Sequence, residues 1–437
     1  MGESAIGVIR VSGPDAIAVV APLLRATIPL QAFTSHALRR IGIVDPKSGE
    51  LADEALCAVM HAPRSYTGED VVELSCHGSP ALLRMVTQWI IAGGARLAAP
   101  GEFTRRAFVN GRIDLARAEA VALMIGARTE RAVALAARAL AGGFADRVRV
   151  VRDALVDVIA GLEVELDFPD ERIGHDRDGA AVTVARLRTD VDRWANAVRH
   201  GRVVHEGITV ALVGPPNAGK SSLLNALLGS DRAIVSPVPG TTRDVVEGTM
   251  AVAGVPVRLL DTAGLEAPHD DIEAEGIRRS RLALEESDLL LVVLDTSVAP
   301  DQRVLDETAG RARILVRAKS DLPSHPDATT LVDAVEVSTL NDGGIELLLE
   351  RLVRDVEERA SAAGDEGGIV ASLRQLELIS ALTGSLASGA NALRGEVPLE
   401  AALVDLKDAL RLTGEILGVD VSDAVIDRIF SRFCLGK

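Results

Sequence analysis

The stretch Gly214-Pro215-Pro216-Asn217-Ala218-Gly219-Lys220-Ser221 constrains this chain more than any other. It follows the apolar run Thr209–Val213 and opens the apolar stretch Ser222–Leu228, a strand-to-helix joint spaced G-x-x-x-x-G-K-S. Glycines at such a joint let backbone N–H groups curl around an anion, and the first helical turn adds its positive end. The pattern predicts a phosphate-binding loop lined by Ala218, Gly219, Lys220, Ser221 and Ser222. Lys220 would reach the β- and γ-phosphates and the Ser221 hydroxyl would take Mg²⁺. The competing reading is a Gly-rich turn without a ligand, and the flanking strand and helix argue against it.

Further along, Val257–Leu260, Leu289–Leu294 and Ile314–Val316 are short Val/Leu/Ile runs that predict buried parallel strands with helices between them. Ligands bind at the carboxyl ends of such strands. Asp261-Thr262-Ala263-Gly264 ends one of them, setting a carboxylate near Mg²⁺ and a glycine N–H near the γ-phosphate. Gly240-Thr241-Thr242-Arg243-Asp244 offers a threonine to close over the metal. Lys319-Ser320-Asp321 follows another strand, and an aspartate there can accept both hydrogen bonds from a guanine edge. The set points to GTP rather than ATP.

Three positions depart from the usual pattern. Ala318 stands where the base-reading loop ordinarily has Asn, and Ser338-Thr339-Leu340 keeps only the serine of the usual Ser-Ala-Lys loop. Leu265 stands where many GTPases place the glutamine that orients the attacking water. Glu273 is the candidate to replace that glutamine, although within the run Asp270–Glu275 a solvated acidic face is the simpler reading of it. Arg243 reads equally as an internal arginine finger or as a partner of Asp244 or Glu247.

The chain has 437 residues, 48% hydrophobic and 25% charged, so two to three globular domains are expected. A net charge of −16 excludes a strongly basic nucleic-acid binder, and 2% aromatics argue against a base-stacking platform. Three scattered cysteines form no disulfide or zinc pattern and imply a reducing compartment; Cys57 and Cys76 read as core residues in strands. No leader organisation and no long uncharged apolar stretch is present, so a cytoplasmic protein without a membrane span is expected.

Texture divides the chain into a mixed α/β segment at 1–110, with strand-like Ala5–Val11 and Val71–Cys76, and a helical segment at 111–206. An α/β segment at 207–360 and a second helical segment at 361–437 follow, the last opening on a small polar linker at 361–368. In the first segment an apolar helix-like stretch is expected to run to Leu24, and a helix after Pro80 through Ile91. The simplest account inserts one α/β domain between two halves of a helical domain.

These residues carry a family resemblance over essentially the whole chain. Gly7-Val8-Ile9-Arg10-Val11-Ser12-Gly13, Tyr66-Thr67-Gly68-Glu69-Asp70, His77-Gly78, Pro100-Gly101-Glu102-Phe103-Thr104 and Leu166-Asp167-Phe168-Pro169-Asp170-Glu171 are part of it. With the nucleotide motifs and the ending Phe430-Ser431-Arg432-Phe433-Cys434-Leu435-Gly436-Lys437, they resemble the MnmE (TrmE) family of tRNA wobble-uridine modification GTPases. The short strand that members carry before Gly-Val-Ile-Arg is not found here, so a shorter first sheet is expected.

The resemblance implies a multidomain α/β and α fold: an N-terminal α+β folate-binding and dimerisation domain, and a helical domain split by a Ras-like, doubly wound P-loop GTPase domain. It implies K⁺-activated hydrolysis by a homodimer working with the FAD-dependent MnmG protein in a heterotetramer or larger complex. Together they would install an aminomethyl or carboxymethylaminomethyl group on tRNA, using a formyl-tetrahydrofolate derivative. By motif, Arg10, Glu73, Arg112 and Lys437 fall on folate-contacting positions, Arg112 standing where the family often has Lys. Asn217, Ser236, Val238 and Thr241 fall on K⁺-binding positions, and Thr242 on the Mg²⁺-binding, catalytic threonine. Glu273 matches the water-orienting glutamate, and Cys434 has either a direct role in modification or that of a small packed side chain. Two rivals remain: a regulatory or ribosome-assembly GTPase without modification chemistry, and a folate-dependent one-carbon transferase acting alone.

Overall fold

A computed structural model describes residues 3–167, 177–229, 247–261, 285–341, 344–361, 369–395, 397–419, 421–431 and 433. The first elements are β1 (Ser4–Ser12), α1 (Ala16–Val20), β2 (Leu24–Arg25), β3 (Leu38–Val44), β4 (Leu51–Met60), β5 (Val71–Gly78), α2 (Pro80–Ala92) and α3 (Glu102–Val109). Helices α4 (Leu115–Gly126), α5 (Glu130–Leu140), α6 (Gly143–Asp167) and α7 (Arg177–Glu206) follow. Then come β6 (Ile208–Val213), α8 (Lys220–Leu228), β7 (Glu247–Val252), β8 (Val255–Asp261), β9 (Leu289–Asp295), α9 (Gln302–Glu307), β10 (Arg313–Ala318), β11 (Val335–Val337) and α10 (Ile345–Ser361). The chain ends on α11 (Leu373–Arg394), α12 (Leu399–Leu417) and α13 (Asp423–Phe430). These elements form two compact units, one from 1–122, 142–161 and 407–437, the other from 123–141 and 162–406.

The first unit holds an antiparallel sheet in the order β1-β5-β4-β3-β2. Its strands alternate, as a half-buried sheet must. Ile41, Ile43, Ala55, Cys57, Val59, Val72, Leu74 and Cys76 face Ile17 and Val20 of α1 and Val86 and Ile90 of α2. Both cysteines are free and buried as expected, and burial pushes each thiol up to about 11. Arg10 and Glu73 sit on the opposite face, where Ile6, Val8, Leu38 and Leu56 are exposed. A second cluster joins Leu115, Ala118 and Val121 of α4 to Ile426, Phe430 and Phe433. The helix-like stretch expected to reach Leu24 stops at Val20. Pro22 has no amide to continue an α-helix, and the chain takes one tight turn and enters β2.

The second unit is built on a sheet ordered β11-β10-β9-β6-β8-β7, parallel except for β7. Apolar runs without alternation indicate a sheet covered on both faces. Val210, Leu212, Leu259, Leu291, Val293 and Val316 pack on α8 and α10, with Leu135 of α5 and Val204 of α7 in the same cluster. Ala211, Val213, Leu290, Val292 and Leu294 face the other way, toward Val304 of α9. Helix α7 lies along α11, and Gly201 of α7 lies against the segment that leads into α11, where a side-chain Cβ would stand 2.2 Å from the Ile369 carbonyl oxygen.

Candidate nucleotide-binding site

The β6–α8 joint is shaped by backbone conformations and by close approach. A Cβ on Gly214 would stand 2.1 Å from the Val293 carbonyl oxygen, so only glycine fits where the loop leaves the sheet. Asn217 (φ 59°) and Gly219 (φ 100°) take left-handed conformations, which turn successive amides toward one concavity. Lys220 begins α8, and its Nζ donates to the carbonyls of Gly214 and Pro215, each at 2.9 Å. Burial pushes the Lys220 ammonium down, and the nearby Asp261 carboxylate opposes that shift.

The parallel register of β6 and β8 sets Leu212 beside Asp261, which brings the end of β8 against the start of α8. Ser221 Oγ donates to Asp261 Oδ2 at 2.5 Å. Asp261 Oδ1 is buried and has no hydrogen-bond partner among the described residues. A buried carboxylate oxygen left free beside a hydroxyl is a donor set for a hard, oxygen-seeking cation, and these residues fit Mg²⁺.

The residues singled out for the base, Lys319 and Asp321, follow the end of β10, beside the end of β9. Ser338, 2% exposed, donates its Oγ to Asp321 Oδ1 at 2.6 Å and fixes that carboxylate. Lys319 Nζ donates to Asp295 Oδ2 at 2.7 Å. Ala318 is buried, and its methyl lies 3.7 Å from where a Cβ on Gly219 would stand, so the strand end meets the phosphate loop through an apolar contact.

The first unit carries a separate cleft of about 290 Å³ beside the edge strand β1, lined in part by Arg10, Ser12, Arg96, Glu102, Phe103 and Arg106. Register places Arg10 opposite Glu73, and the two form an ion pair at 2.6 Å, with the Arg10 guanidinium 5.6 Å from the Phe103 ring centroid. Glu102 accepts from Arg96, Arg106 and the Ala99 amide. Arg106 also bridges to Glu69 at 2.7 Å, and Glu69 accepts from Ser12. Arg112 is exposed and packs its stem near Gly68, in the loop that also carries Glu69.

Comparison with known proteins adds the family. The model described as "GTP-binding protein TrmE N-terminus" matches residues 1–112, and the one described as "MnmE helical domain" matches residues 115–434. The tRNA modification GTPase MnmE of Koribacter versatilis is 40% identical over 442 residues, covering 100% of this chain and 97% of that protein. The chain belongs to the MnmE family of tRNA modification GTPases. The MnmE protein of Geobacter sulfurreducens is similar at 41% identity over 443 residues, again covering 100% of this chain and 97% of that protein.

Of the positions that the MnmE motifs single out, the structure brings Asn217, Ala218, Gly219, Lys220, Ser221 and Ser222 together at the β6–α8 joint. Asp261 stands beside them, and Lys319 and Asp321 at the neighbouring strand end. Ser236, Val238, Thr241, Thr242, Arg243, Thr262, Ala263, Gly264, Leu265, Glu273, Cys434 and Lys437 lie outside the described residues, as do residues 362–368 of the linker expected at 361–368, while Ser361 is the last residue of α10. Arg10 and Glu73, singled out for folate, are paired to each other, and of the two only Arg10 lines the cleft. Sequence reasoning did not single out Glu102, Arg96, Arg106 or Asp295. Glu102 stood within the quoted Pro100–Thr104 motif, and its spacing from Arg106 suits an i,i+4 pair. Asp295 gave no local signal beyond ending an apolar run.

Proposed function

We propose that this MnmE-family chain hydrolyses GTP to drive a cycle of G-domain association and separation in a complex that modifies the wobble uridine of tRNA. The single observation that supports it most is the Lys220–Ser221–Asp261 constellation, set beside the guanine-reading pair Lys319 and Asp321.

On GTP entry Lys220 would exchange its two carbonyl acceptors for phosphate oxygens, and Ser221 and Asp261 would hold Mg²⁺. When bound, the metal neutralises charge on the β- and γ-phosphate oxygens. Thr242 closes over the site, the Gly264 amide meets the γ-phosphate, and Glu273 orients the attacking water. Asn217, with Ser236, Val238 and Thr241, would hold K⁺, and the ion would supply the positive charge that an arginine finger supplies in other GTPases. Asn217 is exposed at the lip of the loop, which suits a ligand shared across two G domains.

The remainder of the proposal is a homodimer joined through the N-terminal domain at 1–110, with the G domain at 207–360 between helical parts at 111–206 and 361–437. The exposed Ile6, Val8, Leu38 and Leu56 on one face of the first sheet support such an interface. A formyl-tetrahydrofolate derivative bound near Arg10, Glu73, Arg112 and Lys437 supplies the carbon, and Cys434 acts beside it. FAD resides in the MnmG partner. No helix among the described residues is long and apolar enough to cross a membrane, and a cytoplasmic site of action follows from the tRNA substrate.

The test is mass spectrometry of wobble nucleosides from a strain lacking the gene, complemented with wild type or Asp261→Ala. Loss of the aminomethyl-type modifications in the deletion, restored by wild type alone, is expected. Unchanged wobble nucleosides in the deletion would overturn the modification role and favour a regulatory GTPase.

A further inference from the structure

We propose that Asp295 is a positioning residue of the guanine subsite, holding Lys319 as the shelf for the purine face in place of the tether that an asparagine at position 318 would provide. The inference rests on the guanine reading of Lys319 and Asp321.

Three observations lead to it. First, position 318 offers no polar side chain. Ala318 is buried against the phosphate loop, so nothing at that position hydrogen-bonds the base loop to the loop at Gly219. Second, Lys319 holds a left-handed backbone (φ 58°), a conformation that costs a non-glycine residue roughly 1 kcal/mol and persists where neighbouring contacts hold it. Third, those contacts converge on Asp295. Parallel register places Ala318 beside Asp295, and the Thr296 amide donates to the Ala318 carbonyl at 3.0 Å. Asp295 Oδ2 accepts from Lys319 Nζ at 2.7 Å, while Oδ1 accepts from the Ser297 amide at 2.9 Å and the Ser297 hydroxyl at 2.7 Å.

Both oxygens of Asp295 are thus held, and its side chain is only 15% exposed. Burial pushes its carboxyl up, but the hydrogen bonds from Lys319 and Ser297 outweigh that and hold it below the ordinary aspartate range. Lys319 is therefore pinned at its backbone and at its ammonium. Its four-carbon stem is stretched between them as an apolar strip of fixed direction, and an apolar strip suits the face of a purine ring.

Asp321 is held independently, by buried Ser338. The two devices have different chemistry. The Lys319 strip meets a ring face that every purine has, whereas Asp321 meets a guanine edge bearing the 2-amino group. Asp295 should therefore set how tightly a purine nucleotide binds, and Ser338 how well guanine is told from hypoxanthine.

The experiment compares GDP and IDP binding to the full chain and to Asp295→Asn, Ser338→Ala and Lys319→Met, together with the melting temperature of each nucleotide-free protein. Asp295→Asn keeps the shape and removes the charge. It is expected to raise the Kd for GDP and IDP together by about tenfold, leaving their ratio and the melting temperature close to wild type. Ser338→Ala is expected to reduce the GDP-over-IDP preference. In the Lys319→Met background, Asp295→Asn should add nothing, because the ammonium it anchors is gone. Affinities within twofold of wild type for Asp295→Asn would overturn the proposal, as would an unchanged affinity with a lowered melting temperature. A wild-type chain that binds GDP no better than IDP would overturn the guanine reading itself, and the inference with it.

Discussion

Ser221 Oγ lies 2.5 Å from Asp261 Oδ2, and the other oxygen of that carboxylate is buried without a hydrogen-bond partner among the described residues. An unmet buried acceptor is costly, of order 1–3 kcal/mol. It persists here because β8 ends where the sheet register requires, beside the first turn of α8. A divalent cation bound there would satisfy it.

The metal should therefore depend on Asp261 more than the fold does. Asp261→Asn keeps an acceptor for Ser221 and removes the charge. Its Mg²⁺ requirement for GTP hydrolysis is expected to rise by at least about tenfold. The stability of the nucleotide-free protein should stay within about 1 kcal/mol of wild type. A Mg²⁺ titration of turnover, paired with thermal melts, checks both.

Lys220 predicts the opposite pairing of stability and function. Its ammonium is buried in the loop and its pKa is pushed down, chiefly by that burial. Lys220→Met removes a desolvated charge and keeps the stem, so the empty protein should lose at most about 1 kcal/mol. GTP hydrolysis should fall by at least about a hundredfold, because Lys220 is the residue proposed to meet the β- and γ-phosphates. Single-turnover hydrolysis and denaturant midpoints measure the two.

Much of the candidate nucleotide site was legible because its motifs are local. Gly214–Ser221 is one continuous segment, β6 and β9 are apolar runs buried on both faces, and apolar stretches remain on either side of Arg258 in β8 and between Arg313 and Arg317 in β10. Strands β3 and β4 were not singled out. Their solvent faces carry charge, as in the Arg40–Glu54 pair at 2.6 Å, so the apolar signal is halved. Edge strand β7 likewise carries no continuous apolar run. Asp295 was invisible for a different reason: only the β9–β10 register brings it to Lys319, and nothing local in the sequence states that register. For Arg10 and Glu73 the positions were singled out, but their pairing across β1 and β5 is tertiary information.

The cleft network makes a pH prediction. Hydrogen bonds from Arg96 hold the Glu102 carboxyl down at about 2 from 4.5, against its burial, with Arg106 and the Ala99 amide adding to the effect. A carboxyl lowered on folding contributes stability that is full above its unfolded value and lost as pH falls through its folded value. The loss belongs to the window from about pH 4.5 down to about 2. Glu102→Gln should cost about 2 kcal/mol at neutral pH and flatten the acid dependence in that window. Hydrogen exchange of the peptide covering α3, followed from neutral to acid pH, reports it.

Gly101 sets the C-terminal helix against α3. It has φ 68°, and a Cβ there would stand 2.7 Å from the Phe430 carbonyl oxygen and 2.9 Å from Phe433 Cβ. Gly101→Ala should destabilise the packing of α13 by about 2–3 kcal/mol, since backbone strain and steric clash act together. Faster exchange across Asp423–Phe430 with normal GTP hydrolysis is expected, and wild-type protection of that helix would contradict it.

The most direct measurement is GTP hydrolysis by the chain alone in KCl against NaCl at equal ionic strength, with ATP as the control. The account predicts turnover of GTP raised specifically by K⁺, with no matching rise for ATP, and loss of that rise in Asn217→Ala. Slow turnover indifferent to the cation, or ATP hydrolysed as readily as GTP, would contradict it.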